Sequence, residues 1–297
     1  MLIALLVPLG LASLLFTVIL VRTAIAKRAT PSIEGMVLGA VTNFFDTLGI
    51  GSFAPTMSWF KFRRLVPDRL IPSTMLVGHS LPTIVQAIIF LILLGLLVDP
   101  VLLVGCALGL TLGGLLGAPM VARTKIWLIQ LAVAIALLIA AVLYSMTNLH
   151  LIPSGGLASS LPVGLTIAAI VANFVFGILL NFGIGHYAPS LVMLSLMGLD
   201  PKLAFPIMAT GGAVTIAGAG SRHIVMGSVN LKVAVGIAIG GIPAVFVAAL
   251  IVRSMPLEML RWLVTVVVLY ASGVMFHAAW SGLRSSRQQL LAAGETG

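Results

Sequence analysis

Along the 297 residues, apolar runs of about twenty residues alternate with short polar stretches. That is the length a helix needs to cross the hydrocarbon core of a bilayer. Residues 2–21 form the first run, followed by Arg22, Lys27 and Arg28. Because the positive charges follow the run rather than precede it, it reads as a retained span and not as a cleaved signal peptide. A second run, from about Gly35 to Phe60, is broken in its middle and ends in the basic loop Lys61, Arg63, Arg64 and Arg69. Runs at roughly 71–98, 101–121 and 126–147 come next, then a Ser/Gly/Pro-rich stretch, His150 to Pro162, with no Lys or Arg. A second broken run covers about 163–199, and three more runs lie near 203–224, 232–252 and 257–282. The tail carries Arg284 and Arg287, then turns polar, and is expected to be disordered.

The two broken runs are copies of one another. The first reads Gly49-Ile50-Gly51-Ser52-Phe53-Ala54-Pro55-Thr56, and the second Gly183-Ile184-Gly185-His186-Tyr187-Ala188-Pro189-Ser190, 134 residues later (183 − 49). The same offset, without a gap, superposes Leu65 on Leu199, Pro67 on Pro201 and Pro72 on Pro206. One G-x-G is weak in a chain with 31 glycines, but an ungapped repeat with matched prolines marks an internal duplication. Gly tolerates φ > 0, and Pro favours the first turn of a new helix, so each G-x-G-x-x-x-P should stop a helix and restart it. Inside a bilayer, freed backbone groups are tolerated only against protein or a wet cavity. A matched pair of such interruptions points to the substrate site of a secondary transporter.

Composition agrees with a membrane setting. Hydrophobic residues make up 60% and charged residues 8%, and the mean hydropathy is +1.22. The net charge of +9 sits in short loops rather than one patch, which fits the positive-inside pattern and argues against a nucleic-acid partner. The single cysteine, Cys106, excludes an internal disulfide and reads as a packing residue. If all nine runs cross the membrane, Lys and Arg divide 9 to 6 between the two sides; if both broken runs are re-entrant hairpins, they divide 12 to 3. The sharper asymmetry favours hairpins, with Lys202, Arg253 and Arg261 alone outside and the C-terminus inside. A hairpin plus three crossings is an odd number, so the second unit would be inverted relative to the first.

The expected organisation is therefore an all-α integral membrane protein. An N-terminal transmembrane helix (1–30) precedes repeat 1 (34–148), a linker (149–162), repeat 2 (163–283) and a cytoplasmic tail (284–297). Each repeat is an interrupted or re-entrant helical segment plus three spans.

Candidate chemistry gathers at the breaks. Asp46 lies three residues before Gly49 in an apolar stretch, where a charged side chain is costly and usually functional. It reads either as a proton carrier or as a cap on freed amides at the break. Asn43 and Thr47 flank it, as Asn181 flanks the second break. His79, in the next span, and His186, inside the second break, are the titratable partners, each weighed against an ordinary buried histidine. Exposed amides at a restarted helix, reinforced by its dipole, make an anion site without a cationic side chain. Gly49, Gly51, Gly183 and Gly185 would expose those amides, and Ser52, Thr56, Ser190 and Tyr187 would add hydroxyl donors. Phe53, the counterpart of Tyr187, could not. The glycines of 105–117 and 236–241 read instead as close helix packing.

At these residues the chain resembles the sulfite exporter TauE/SafE family of bacterial membrane transporters. The second copy carries the likeness: Gly183-x-Gly185-x-x-x-Pro189, then Gly198-Leu199-Asp200-Pro201-Lys202, then Ala209-Thr210. The glycine pairs Gly105/Gly109 and Gly236/Gly240, and Arg253 before Pro256-Leu257-Glu258, also fit. The resemblance covers about residues 34–283 and implies proton-coupled export of sulfite, sulfonates or related organic anions across the bacterial inner membrane. The chain departs from the family's G-x-G-G-G at His186-Tyr187, and the first copy carries Asp46 and Ser52-Phe53.

The reading is thus a secondary transporter exporting a small anion. Asn43, Thr47, Gly49, Gly51, Ser52, Thr56, Asn181, Gly183, Gly185, His186, Tyr187 and Ser190 would bind substrate, and Asp46, His79 and His186 would couple protons. The expected partners are the substrate and the lipid bilayer, and the reading admits a homo-oligomer. No cofactor motif, resident metal site or catalytic constellation is present, since the five histidines show no H-E-x-x-H or comparable spacing. The alternative is a cation or metal carrier using Asp46 and the histidines.

Overall fold

The computed structural model describes residues 2–117, 126–151, 156–180 and 184–294. Eleven α-helices account for nearly all of them: α1 (Leu2–Ala26), α2 (Ile33–Thr47), α3 (Phe53–Arg63), α4 (Ile71–Leu94), α5 (Pro100–Gly117), α6 (Ile126–Asn148), α7 (Val163–Leu180), α8 (Tyr187–Leu196), α9 (Pro201–Val225), α10 (Leu231–Ser254) and α11 (Leu257–Gly294). The described residues contain one isolated bridge, Ala158 with Leu199, and no strand. Eight helices are long and apolar enough to cross a membrane: α1, α4–α7 and α9–α11. The chain has the make-up of a multi-pass, all-α membrane protein. Its tail differs from expectation. Helix α11 runs through the polar segment to Gly294, because Leu283-Arg284 and Arg287 to Ala293 are mostly strong helix formers.

Each broken run folds as a hairpin of two helices. At the open end of the first, the Glu34 carboxylate accepts from Trp59 Nε1 and from Arg63 Nε, both at 3.0 Å, so α2 begins where α3 ends. The ion pair is half-exposed and worth little in itself; it shows that the segment turns back. In the second, the strand of chain leading into α7 meets the residues leaving α8. The Ala158 amide donates to Gly198 O, and the Asp200 amide donates to Ala158 O.

The remaining helices pack in pairs whose directions follow from their contacts. Helices α2 and α10 run parallel: the Ser32 amide donates to Lys232 O, and Gly39 and Gly240 lie against the Ile237 and Met36 backbones. Helices α5 and α7 do likewise, with Gly113 on the Phe174 carbonyl and Gly177 on the Leu110 carbonyl. A Cβ at any of these four glycines would overlap backbone, so close helix approach is their role. Helices α4 and α9 are antiparallel: the Phe90 ring packs at a tilt against Phe205 at one end, and the Asn230 amide, just past α9, donates to Thr74 Oγ1 at the other. Helices α6 and α11 are antiparallel too, since Ser272 Oγ donates to Ala134 O while Asn148 Nδ2 donates to Thr265 Oγ1.

These contacts sort the loops into two ends. Lys27 (beside Gly227), Lys61, Arg63 and Lys232 share one end with the starts of α2 and α10. Lys202, whose Nζ donates to Arg253 O, shares the other with Arg253 and with Arg261, whose guanidinium approaches Gly156.

Candidate functional site

Helix α2 stops in a local hydrogen-bond pattern that needs a left-handed residue. The Ile50 amide donates to Phe45 O (3.0 Å) and the Gly49 amide to Asp46 O (2.8 Å), with Gly49 at φ +98° and Gly51 at +88°. This is the Schellman arrangement, which favours glycine because it lacks a Cβ. Helix α7 ends on the corresponding bond, Ile184 N to Leu179 O at 3.3 Å, each residue 134 positions on. Helix α3 restarts at Phe53 and α8 at Tyr187, again 134 apart.

The two restarts are held differently. In the first, Asp46 Oδ1 accepts from the Ser52 amide at 2.7 Å, a short bond to a buried carboxylate that caps the start of α3. The capping alternative raised for Asp46 describes this contact. His79 on α4 then bridges the hairpin: Nδ1 lies 2.9 Å from Asn43 Oδ1 on α2, and Nε2 lies 3.0 Å from Thr56 Oγ1 on α3. Because Asn43 Nδ2 donates to Gly39 O, Asn43 Oδ1 is an acceptor and His79 Nδ1 carries the proton. Both ring nitrogens are engaged, and the ring is fully buried beside Phe53.

In the second hairpin Ala213 stands where His79 would be (79 + 134), and no bridging ring is needed. Ser190 Oγ, the counterpart of Thr56, donates directly to Asn173 Oδ1 on α7 at 3.1 Å. His186 takes the register of Ser52, and its Nε2 donates to Met208 O on α9 at 3.2 Å. Gly212 makes room for this: a Cβ there would sit 3.0 Å from His186 Cε1 and 3.6 Å from the Tyr187 ring. Leu180 stands at the register of Asp46, so the second restart lacks a carboxylate at that position.

The first break packs against the second hairpin and the early turns of α9. A Cβ at Gly49 would lie 3.1 Å from Leu191 on α8 and 3.9 Å from Phe205 on α9. Asp46, from the first break, is within electrostatic range of Tyr187 in the second. Gly51 and Gly185, counterparts in the repeat, both face open space, with nothing within 4 Å of a Cβ placed there.

The fate of the sequence candidates divides cleanly. Asp46, Asn43, His79 and Thr56 form one connected network, with Ser52 supplying its amide. The Thr47 hydroxyl donates within its own helix to Asn43 O, and the Thr56 and Ser190 hydroxyls are tied to protein partners, so these three serve as internal ties. The Tyr187 hydroxyl, by contrast, makes no well-formed hydrogen bond among the described residues. Asn181 and Gly183 lie outside the described residues.

One residue escaped the sequence reading. Gln86 on α4 is buried, and its Nε2 likewise has no partner among the described residues. It is a polar side chain within reach of the Tyr187 hydroxyl, and the two are each other's natural hydrogen-bond partners. The signal was available: His79, Thr83 and Gln86 recur at i, i+4 and i+7, a polar stripe on one face of an apolar helix.

Comparison with protein-family models, with curated proteins and with solved structures finds no match to the chain.

Proposed function

We propose that this protein is a secondary transporter that moves a small oxyanion, of the sulfite, sulfonate or organic-acid type, out across a bacterial inner membrane in exchange for protons. One observation carries the reading: two glycine-interrupted hairpins, one from each copy of an internal repeat, bring their breaks together in the protein interior beside a single buried carboxylate. Paired interruptions at a repeat interface are how secondary transporters build a midplane site. The antiparallel packing of α4 on α9 and of α6 on α11 supports an inverted arrangement of the repeats, since these are corresponding helices (71 + 134 = 205, inside α9; 126 + 134 = 260, inside α11). Alternating access would then be a rocking of one hairpin unit against the other. The Lys/Arg-rich end supports a cytoplasmic C-terminus. The sulfite exporter resemblance supports the substrate class.

In this scheme Asp46 is the proton carrier and His79 a positioning residue that locks the first hairpin to α4. The cation-carrier alternative has less to stand on, because a metal would have to compete for histidines already engaged: both His79 nitrogens and His186 Nε2 have protein partners. We place no catalytic role in the chain.

Thermal unfolding of the purified protein across sulfite, methanesulfonate, acetate and divalent cations tests the reading, because a ligand of the native state raises Tm by mass action. Stabilisation by at least one oxyanion is expected. Stabilisation by divalent cations alone, lost in Asp46→Asn, would establish the carrier alternative instead.

A further inference from the structure

Helix α1 precedes both repeats, and a groove of about 460 Å³ runs between it and the body of the molecule. Its walls include Leu20 and Ile25 of α1, Leu81 of α4, and Val235 and Ile242 of α10. Every side chain lining it is apolar except those of Arg28 and Thr30, which follow the end of α1. Ile25 and Ile239 stand exposed on its rim. Because α1 and α10 are both long and apolar enough to cross a membrane, the open side of the groove faces acyl chains.

The backbone sets the charged end. Helix α1 stops in a Schellman pattern: the Ala29 amide donates to Ala24 O at 2.8 Å and the Arg28 amide to Ile25 O at 3.0 Å. Arg28 thereby takes φ +48°, a left-handed position that favours glycine. An arginine is held there against backbone preference, exposed and with no ion pair among the described residues. Lys27 reaches elsewhere, its Nζ lying beside Gly227 in the turn before α10. The groove thus presents one unmatched guanidinium at the head of an apolar channel. From Val235 to Ile242 the channel follows about 10 Å of α10, room for the upper part of one acyl chain.

We propose that this groove binds one anionic phospholipid, with an acyl chain along α10 and the phosphate on Arg28. The planar fork of arginine pairs with phosphate oxygens, and the Thr30 hydroxyl stands at the same end. This is also the Lys/Arg-rich end of the molecule, where basic pockets between transmembrane helices hold anionic headgroups. The lipid joins α1 to α10, the helix whose Gly240 packs on Met36 of the first hairpin. The site does not depend on what the hairpins carry.

Purified full-length protein in a neutral detergent would be titrated with phosphatidylglycerol, phosphatidylcholine and glycerol 3-phosphate. Apparent affinity is read from the rise in Tm, and bound lipid is counted by native mass spectrometry. Wild type should bind phosphatidylglycerol roughly fivefold more tightly than phosphatidylcholine, the worth of one basic residue at an anionic headgroup. Arg28→Gly should abolish that preference without lowering the lipid-free Tm, since glycine suits the left-handed backbone. Arg64→Gly is the matched control: Arg64 is also left-handed, at φ +51°, but does not line the groove, so the preference should survive. Ile239→Trp, which fills the groove, should weaken both lipids; if it does not fold, the arginine pair decides alone. Equal affinities of wild type for the two lipids, or equal effects of the two arginine variants, would overturn the proposal. So would unchanged lipid binding in folded Ile239→Trp, or glycerol 3-phosphate stabilising as well as the lipid. A dimer that Ile239→Trp dissociates and added lipid does not would assign the groove to a second copy of the chain instead.

Discussion

His79 offers the sharpest energetic test of how the first hairpin is held. Replacing it with leucine keeps most of the buried volume and removes two interhelical contacts, at 2.9 Å to Asn43 and 3.0 Å to Thr56. The losses are unequal. With the ring gone, the Thr56 hydroxyl can turn its single proton to Ser52 O, 2.7 Å away, whereas Asn43 Oδ1 loses its ring donor. Interhelical hydrogen bonds in membrane proteins contribute about 0.6 kcal/mol on average and up to about 1.7, so two bonds set the expected destabilisation of His79→Leu at about 1–3 kcal/mol. The assay is equilibrium unfolding in mixed micelles of wild type, His79→Leu, Asn43→Ala and the double variant. The coupling between positions 43 and 79 should be about 0.6–1.7 kcal/mol, with a fall in stability that does not depend on added anion. Additivity of the two single variants within about 0.3 kcal/mol would refute the bridge. The second hairpin supplies a built-in comparison, since Ser190 meets Asn173 without a histidine and Ala213 occupies the equivalent place.

Asp46→Asn keeps an acceptor oxygen for the Ser52 amide and should fold within about 1 kcal/mol of wild type, yet lose the response of transport to a pH gradient. Asp46→Leu leaves that amide unmatched and should cost about 1–3 kcal/mol by the same unfolding assay. Gly240→Val, which drives a side chain into the Met36 backbone, should destabilise by about 1–3 kcal/mol or prevent folding. Gly164→Ala, with nothing within 4 Å of the new methyl group, should stay within about 0.5 kcal/mol, so equal effects of the two would discredit the packing role. In a Cys106→Ala background, a cysteine replacing Lys61 and one replacing Arg253 should react with a membrane-impermeant thiol reagent from opposite sides of the membrane. Labelling of both from one side would contradict the hairpin topology.

Much of the architecture was legible in the sequence because it rests on two strong signals, apolar length and an ungapped repeat. The helix stop at Thr47 and the restarts at Phe53 and Tyr187 fall at the breaks that the glycine and proline positions mark. Asp46 was conspicuous because charge is rare in an apolar run, and both of its proposed roles were visible; the 2.7 Å bond to Ser52 adds which amide it caps. Hidden from the sequence was which polar groups satisfy one another. Thr56 and Ser190 looked like free hydroxyls, but three-dimensional packing delivers them to His79 and Asn173. Gln86 was not marked by the sequence because it lies 40 residues from Asp46, and only the packing of α4 on α9 brings it near Tyr187. The helical tail was missed for a simpler reason: polarity was taken for disorder, while Arg, Gln, Leu and Ala favour a helix that has already been started.

The central claim is that the meeting hairpins move a small oxyanion, and flux in proteoliposomes tests it most directly. Vesicles containing the purified protein would be loaded with unlabelled sulfite, methanesulfonate or acetate, and the entry of labelled counterpart followed with and without an imposed pH gradient. The account predicts saturable exchange of at least one of these anions, accelerated by the gradient in wild type and indifferent to it in Asp46→Asn. Exchange no faster than in empty vesicles for every anion, together with protein-dependent uptake of a divalent cation, would contradict it.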